Sequence, residues 1–374
     1  MNQVNQMKQA NQTNQTSQTN QTNQTNQAPL LSPSDLKIGV VGGGSWGTAL
    51  ANLLGTKGYS IDFWVFEEEV RFQIQTFREN RIFLPGILLS ERLNPTGDLR
   101  QTVMGKDMVL MVVPSHLVRS VSRRMSCDVP DSALIVSASK GIENQTHLTM
   151  SGVLAQTLPH IPESRIAVLS GPSFAKEVAL QSPTVVTVAS KDPATATQVQ
   201  HVFATSAFRV YTHDDVIGVE LGGSVKNVIA IAAGMIDGLE LGLNTRAALI
   251  TRGLAEIRRL GVKLGANPHT FAGLAGVGDL VLTCTGDLSR NYMVGKKIGE
   301  GRSLPDILSE TRTVAEGVKT AESVYNLSSK LLVEMPISHA VYHILYQGLS
   351  PKEAVYQLMT RDLKHEIDDF ICNG

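Results

Sequence analysis

Cysteine is scarce. Cys127, Cys284 and Cys372 are the only three in 374 residues, and they stand far apart without a CxxC or Cys/His ligand pattern. That spacing argues against a disulfide framework and a structural zinc site. The histidines are scattered and no HExxH occurs, so no metal site is expected. Excess charge of either sign is also missing, because 33 Lys and Arg oppose 34 Asp and Glu for a net charge of −1. Such a chain does not hold nucleic acid or an anionic membrane by bulk electrostatics, although local basic pockets for small anions stay allowed. No uninterrupted apolar run approaches the ~18 residues of a membrane span, and the polar N-terminus shows no signal-peptide segment. A cytoplasmic location without membrane insertion is therefore expected.

The first 28 residues contain seven Asn, nine Gln and five Thr, with Lys8 as the one charged side chain and Gln at every third position from Gln3 to Gln27. A repeat this polar cannot bury enough apolar area to offset its ordering entropy, so a disordered tail and linker is predicted over 1–34. The glycosylation sequons at Asn11, Asn14, Asn20 and Asn23 carry no meaning without an export signal.

From Leu36 the pattern changes. Runs that are apolar on both faces predict strands over 37–41 (KIGVV), 61–66 (IDFWVF), 108–113, 134–137, 166–169 and 184–189, with helices between them such as 48–57 and 117–125. A repeated βα order implies a mostly parallel, doubly wound sheet, assigned to a dinucleotide-binding domain over 35–212. After about Tyr211 the strand signal stops. Long apolar helices are predicted over 216–236 and 245–264, and Asn267-Pro268 reads as an N-cap with proline at the first helical position. These make a separate all-helical substrate domain over 213–374, with a cleft expected between the two domains.

The first predicted strand runs into Gly42-Gly43-Gly44-Ser45-Trp46-Gly47, a GxGxxG match at Gly42, Gly44 and Gly47 that leads into a helical pattern. Gly42 permits the tight turn, Gly44 a close backbone approach to a pyrophosphate, and Gly47 tight helix packing, while the helix N-terminus favours negative charge. Glu67 lies twenty residues past Gly47, where an acid can bind a ribose 2′-hydroxyl and repel a 2′-phosphate. Glu67-Glu68-Glu69 also fits a solvated helix start, and nearby Arg71 and Arg78 leave the choice between NAD and NADP open.

Lys226 is conspicuous in the apolar stretch after Glu220. Gly222 and Gly223 stand four and three residues before it, on the same helical face, so something can approach that face closely. A lysine snorkelling to water would fit the segment equally well. In GLAGVGDLVLTC, Asp279 is a single carboxylate among small and apolar residues. Shortly after it comes Ser289-Arg290-Asn291, a forked cation flanked by hydroxyl and amide, suited to phosphate.

These blocks closely resemble the bacterial-type NAD(P)-dependent sn-glycerol-3-phosphate dehydrogenases, over essentially all of 36–365: VGGGSWGTALA at 41–51, SKGIE at 139–143, SGPSFAKEVA at 170–179, VELGGSVKNVIAIAAGMIDGL at 219–239, NTRAALITRGLAE at 244–256 and GLAGVGDLVLTC at 273–284. The resemblance implies a Rossmann-type sheet domain and a C-terminal all-helical domain. It also implies reversible hydride transfer between NAD(P)H and dihydroxyacetone phosphate, giving sn-glycerol 3-phosphate for phospholipid synthesis, and a homodimer. By the same resemblance Lys226 is the catalytic acid/base. Lys140, Gly171, Ser173, Asp279, Ser289, Arg290 and Asn291 match substrate positions. Gly42, Gly44, Ser45, Trp46, Gly47, Phe66, Lys140, Ala175, Arg290, Val314 and Glu316 match cofactor positions. Phe66 is a departure, because some members carry a basic or polar residue there. Two other readings stay open on the residues: a β-hydroxyacid dehydrogenase, which also has a Lys-Asn on a long helix, and a non-catalytic dinucleotide sensor.

Overall fold

The computed structural model describes residues 36–310 and 315–366. The predicted tail lies outside the described residues, as does Val314. Eight strands form one sheet: β1 (Ile38–Val41), β2 (Ile61–Trp64), β3 (Leu93–Thr96), β4 (Met108–Met111), β5 (Leu134–Ser137), β6 (Ile166–Ser170), β7 (Thr184–Ser190) and β8 (Phe208–His213). Their order is β3-β2-β1-β4-β5-β6-β7-β8, and every pairing is parallel except β6 with β7. The mostly parallel, doubly wound sheet anticipated from the βα pattern is therefore present.

The central strands β1, β4, β5 and β6 are buried at every position, which explains their continuous apolar runs. The two strands without a clear signal, β3 and β8, are the edges. Asn94 of β3 is exposed, and Pro95 is tolerated because an edge strand leaves one row of hydrogen bonds unused. In β8 the exposed Arg209 and Tyr211 alternate with buried Phe208 and Val210, so no apolar run forms, and the strand ends at His213, one residue past the expected domain boundary at 212. Other corrections concern element ends. β2 stops at Trp64, two residues before Phe66. The helix after the glycine turn begins at Ser45, not Thr48. Asn267 does cap its segment, by accepting from the His269 N–H, but the segment it caps is a five-residue 3-10 turn.

Beyond β8 the chain is helical. The Val216–Gly238 helix has the length and apolarity of a membrane span, the only such helix among the described residues, yet 94% of its most apolar window is packed inside the protein. Around it pack the Gly242–Lys263, Asp279–Thr285, Arg290–Gly299 and Glu316–Leu331 helices. Buried Glu220 on the long helix accepts from Ser151 N at 2.8 Å and Ser151 Oγ at 2.5 Å, joining this layer to the helix that comes after β5.

Candidate active site

In a doubly wound sheet, ligands collect at the carboxyl ends of the parallel strands where the strand order reverses. Here the reversal falls between β1 and β4. Site residues anticipated from the sequence come directly after β1 (42–47), β2 (Phe66), β5 (Lys140) and β6 (Gly171 and Ser173), all on that edge. The turn fits a dinucleotide pyrophosphate. Gly42 has φ +127°, in the region that favours glycine, and a Cβ on Gly47 would lie 1.9 Å from the Gly42 carbonyl oxygen. At Gly44 an added Cβ meets nothing within 4 Å, and no side chain caps the helix that starts at Ser45. Space and N–H groups are thus left for an anion.

Lys226 sits halfway along the long helix with only 8% of its side chain exposed. Its Nζ donates to Asp279 Oδ1 at 2.5 Å and to Thr283 Oγ1 at 2.7 Å. The other Asp279 oxygen accepts from Lys140 Nζ at 2.7 Å, and Lys140 also reaches the Gly171 carbonyl at 3.3 Å. Asp279, 1% exposed, therefore bridges two cations from different layers of the protein. Burial is the main cause that lowers the Lys226 pKa to about 8; Lys140 lowers it further, while Asp279 pulls the other way. Cys284, on the next turn from Asp279, is buried and its thiol is pushed up to about 12, which leaves it inert as a nucleophile.

The glycines before Lys226 explain how this cluster closes. A Cβ on Gly222 would lie 2.2 Å from the Ala275 carbonyl oxygen, and one on Gly223 would lie 2.4 Å from Ser170 Oγ. The segment leading to Asp279 and the end of β6 are thus the elements that approach that face. Residues Leu274–Gly278 form a turn of π-helix that runs directly into Asp279, a local rearrangement often found at functional sites.

Other anticipated residues occupy the same edge with different partners. Arg290 donates to Ser45 Oγ at 3.0 Å, linking the start of its helix to the glycine turn. Ser173 Oγ bonds the Gly171 carbonyl at 3.0 Å. Glu316 is half-buried and accepts from Ser115 N at 3.1 Å; desolvation raises its pKa, against the pull of Arg290, Lys140 and Lys226. Ser289 caps the Arg290–Gly299 helix by accepting from Tyr292 N, and Asn291 Oδ1 accepts from Gly317 N at 2.9 Å. Ala175 opens the short helix after β6. Trp46 Nε1 is buried without a partner among the described residues. Phe66 stands apart, exposed beyond β2 with its ring 6.0 Å from that of Trp64.

The N-terminal part of the NAD-dependent glycerol-3-phosphate dehydrogenase family matches residues 37–196, and its C-terminal part matches 215–356. A glycerol-3-phosphate dehydrogenase [NAD(P)+] of Citrifermentans bemidjiense is 59% identical over 330 residues, covering 88% of this chain and 98% of the relative. The chain belongs to the NAD-dependent glycerol-3-phosphate dehydrogenase family. Within that family, the Syntrophobacter fumaroxidans enzyme of the same name is 55% identical over 331 residues, 88% of this chain and 97% of the relative. The crystal structure of glycerol-3-phosphate dehydrogenase from Coxiella burnetii superposes with a TM-score of 0.84 at 40% identity, covering 87% of this chain and 99% of that one.

Thr283, with which Lys226 shares a hydrogen bond, was not singled out by the sequence pattern, although it lies one helical turn past Asp279 and so on the same face. Ser115, the partner of Glu316, carried no signal at all.

Proposed function

We propose that the cluster of Lys226, Asp279 and Lys140 is the catalytic centre of an NAD(P)-dependent glycerol-3-phosphate dehydrogenase. The reaction is the reversible reduction of dihydroxyacetone phosphate to sn-glycerol 3-phosphate. The observation that carries the assignment is the buried Lys226 ammonium, held by one carboxylate at the carboxyl edge of a dinucleotide-type sheet.

Residues 42–47, Phe66, Ala175 and Glu316 would hold the cofactor. When bound, NAD(P)H supplies the hydride that reaches the C2 carbonyl carbon. Lys226 stabilises the charge that grows on the carbonyl oxygen and donates the proton to it. In oxidation the neutral amine takes the hydroxyl proton, a role helped by a pKa near 8. Asp279 fixes the position of Lys226 through Oδ1 and that of Lys140 through Oδ2. Arg290 and Asn291 are assigned to the substrate phosphate, where remote binding energy places C2 for reaction.

The dinucleotide-binding part is assigned from 35 to the end of β8 at His213, one residue beyond the expected 212, and the helical part to the chain that follows it. A homodimer in the cytoplasm, supplying glycerol 3-phosphate to phospholipid synthesis, completes the reading. The family membership supports this role, and exposed Leu241 and Leu243 at the start of the Gly242–Lys263 helix offer an apolar face to a second copy. Reduced-nicotinamide absorbance, measured with dihydroxyacetone phosphate and with unphosphorylated dihydroxyacetone, tests the substrate. Rapid oxidation of NADH or NADPH with the phosphate ester alone is expected; equal rates with both compounds would contradict the assignment.

A further inference from the structure

Asn80 lies between the Glu68–Phe77 helix and β3, outside every segment assigned to the site so far. It is fully buried, and its side-chain amide contacts the glycine turn 37 residues away. Nδ2 donates to the Gly43 carbonyl at 2.9 Å and to Thr48 Oγ1 at 2.8 Å, while Thr48 Oγ1 donates to the same carbonyl at 3.2 Å. Both amide hydrogens are used. Asn80 Oδ1 accepts from Phe83 N at 3.0 Å, which fixes which end of the amide faces the turn.

The segment that presents Asn80 is itself fastened. Arg78 and Leu89 exchange backbone and side-chain hydrogen bonds that close the loop between them. Ser90 N donates to Asn52 Oδ1 at 2.8 Å, tying that loop to the helix that starts at the glycine turn. The other side of Gly43 is closed by Val65, whose Cγ1 would lie 2.6 Å from an added Cβ.

A trans peptide points its C=O and the next N–H in opposite directions. With the Gly43 carbonyl drawn inward by two donors, the Gly44 N–H is turned outward, and the backbone entering Ser45 is fixed. We infer that Asn80, with Thr48, is a positioning residue that sets the orientation of the phosphate-binding turn and so determines cofactor affinity. The inference rests on the reading of residues 42–47 as the cofactor turn. A preorganised turn binds tightly because its ordering cost has already been met. A carboxylate in place of the amide would repel the Gly43 carbonyl and free this peptide to rotate.

NADH titration of the full chain, monitored by nucleotide fluorescence, tests the inference with Asn80→Asp, Thr48→Val and Thr48→Ser. Asn80→Asp is expected to raise the NADH Kd at least tenfold and Thr48→Val about threefold to tenfold, with Thr48→Ser within about twofold of the parent. In steady-state assays the increase should fall on the KM for NADH and not on the KM for dihydroxyacetone phosphate at saturating NADH. A purely structural role would instead lower Tm without that split. If Asn80→Asp does not fold, the Val and Ser variants at position 48 decide the matter. Parental NADH affinity in every folded variant overturns the inference alone, whereas a parent chain that binds no NADH overturns the cofactor-turn reading on which it depends.

Discussion

The state of Lys226 leads to a prediction that an ordinary lysine would not satisfy. Its ammonium has lost most of its water, and desolvation outweighs the attraction of Asp279, leaving the pKa at about 8. For such a group the protonated fraction falls from roughly nine-tenths at about pH 7 to roughly one-tenth at about pH 9. Reduction needs the ammonium, so kcat/KM for dihydroxyacetone phosphate should drop about tenfold over that interval. Oxidation needs the amine, and kcat/KM for glycerol 3-phosphate should rise by about the same factor. A lysine left at ~10.4 would lose only a few per cent of its protons by about pH 9. Initial rates from nicotinamide absorbance in both directions give the two profiles. The neighbours provide an internal check: Asp279→Asn removes a charge that raises this pKa and should move the limb to lower pH, whereas Lys140→Met should move it up. Reduction that stays constant from about pH 7 to pH 9 would refute the reasoning.

Single contacts lead to other outcomes. Arg290→Ala should raise the KM for the phosphorylated substrate at least tenfold; equal loss on glycerol and glycerol 3-phosphate would remove its phosphate role. Phe66 places no cation beyond β2, and Arg71 Nη1 is committed to the carbonyls of Val65 and Phe66. Phe66→Arg should therefore improve kcat/KM for NADPH relative to NADH, read from the two cofactors in parallel. Glu256, 1% exposed, accepts from Ile337 N, Ser338 N and Ser338 Oγ, and burial raises its pKa to about 7. A carboxyl raised in the fold contributes stability that is complete below its unfolded value and is lost as pH rises through about 7. The loss at high pH is about 3 kcal/mol, and Glu256→Gln should flatten the corresponding fall in Tm between about pH 5 and pH 8.

Where one side chain meets one element, the fold and the site were readable in advance. Buried central strands show as unbroken apolar runs, and the glycine turn shows because each glycine answers a separate steric demand. Lys226 stood out because two glycines on its face leave room for a close approach. That the segment before Asp279 fills that room, and that the lysine is held there and does not reach water, appears only in three dimensions. Edge strands escaped notice because half of their side chains face water. Thr283, Ser115 and Asn80 escaped for a different reason: each acts through a hydrogen bond whose other end lies on another element, or a helical turn away, and a hydroxyl or amide in sequence gives no sign of that partner. Ser289 and Asn291 were visible as polar residues beside Arg290, but their bonds to Tyr292 N and Gly317 N appear only in three dimensions.

The most direct measurement compares the parent chain with Lys226→Ala in NADH-dependent reduction of dihydroxyacetone phosphate, with NADH affinity determined on the same samples. Loss of the acid that serves the carbonyl oxygen should lower kcat by a factor of about 10² to 10⁴, while NADH Kd stays within about threefold of the parent. Near-parental turnover by Lys226→Ala would contradict the assignment of Lys226 as the catalytic acid/base.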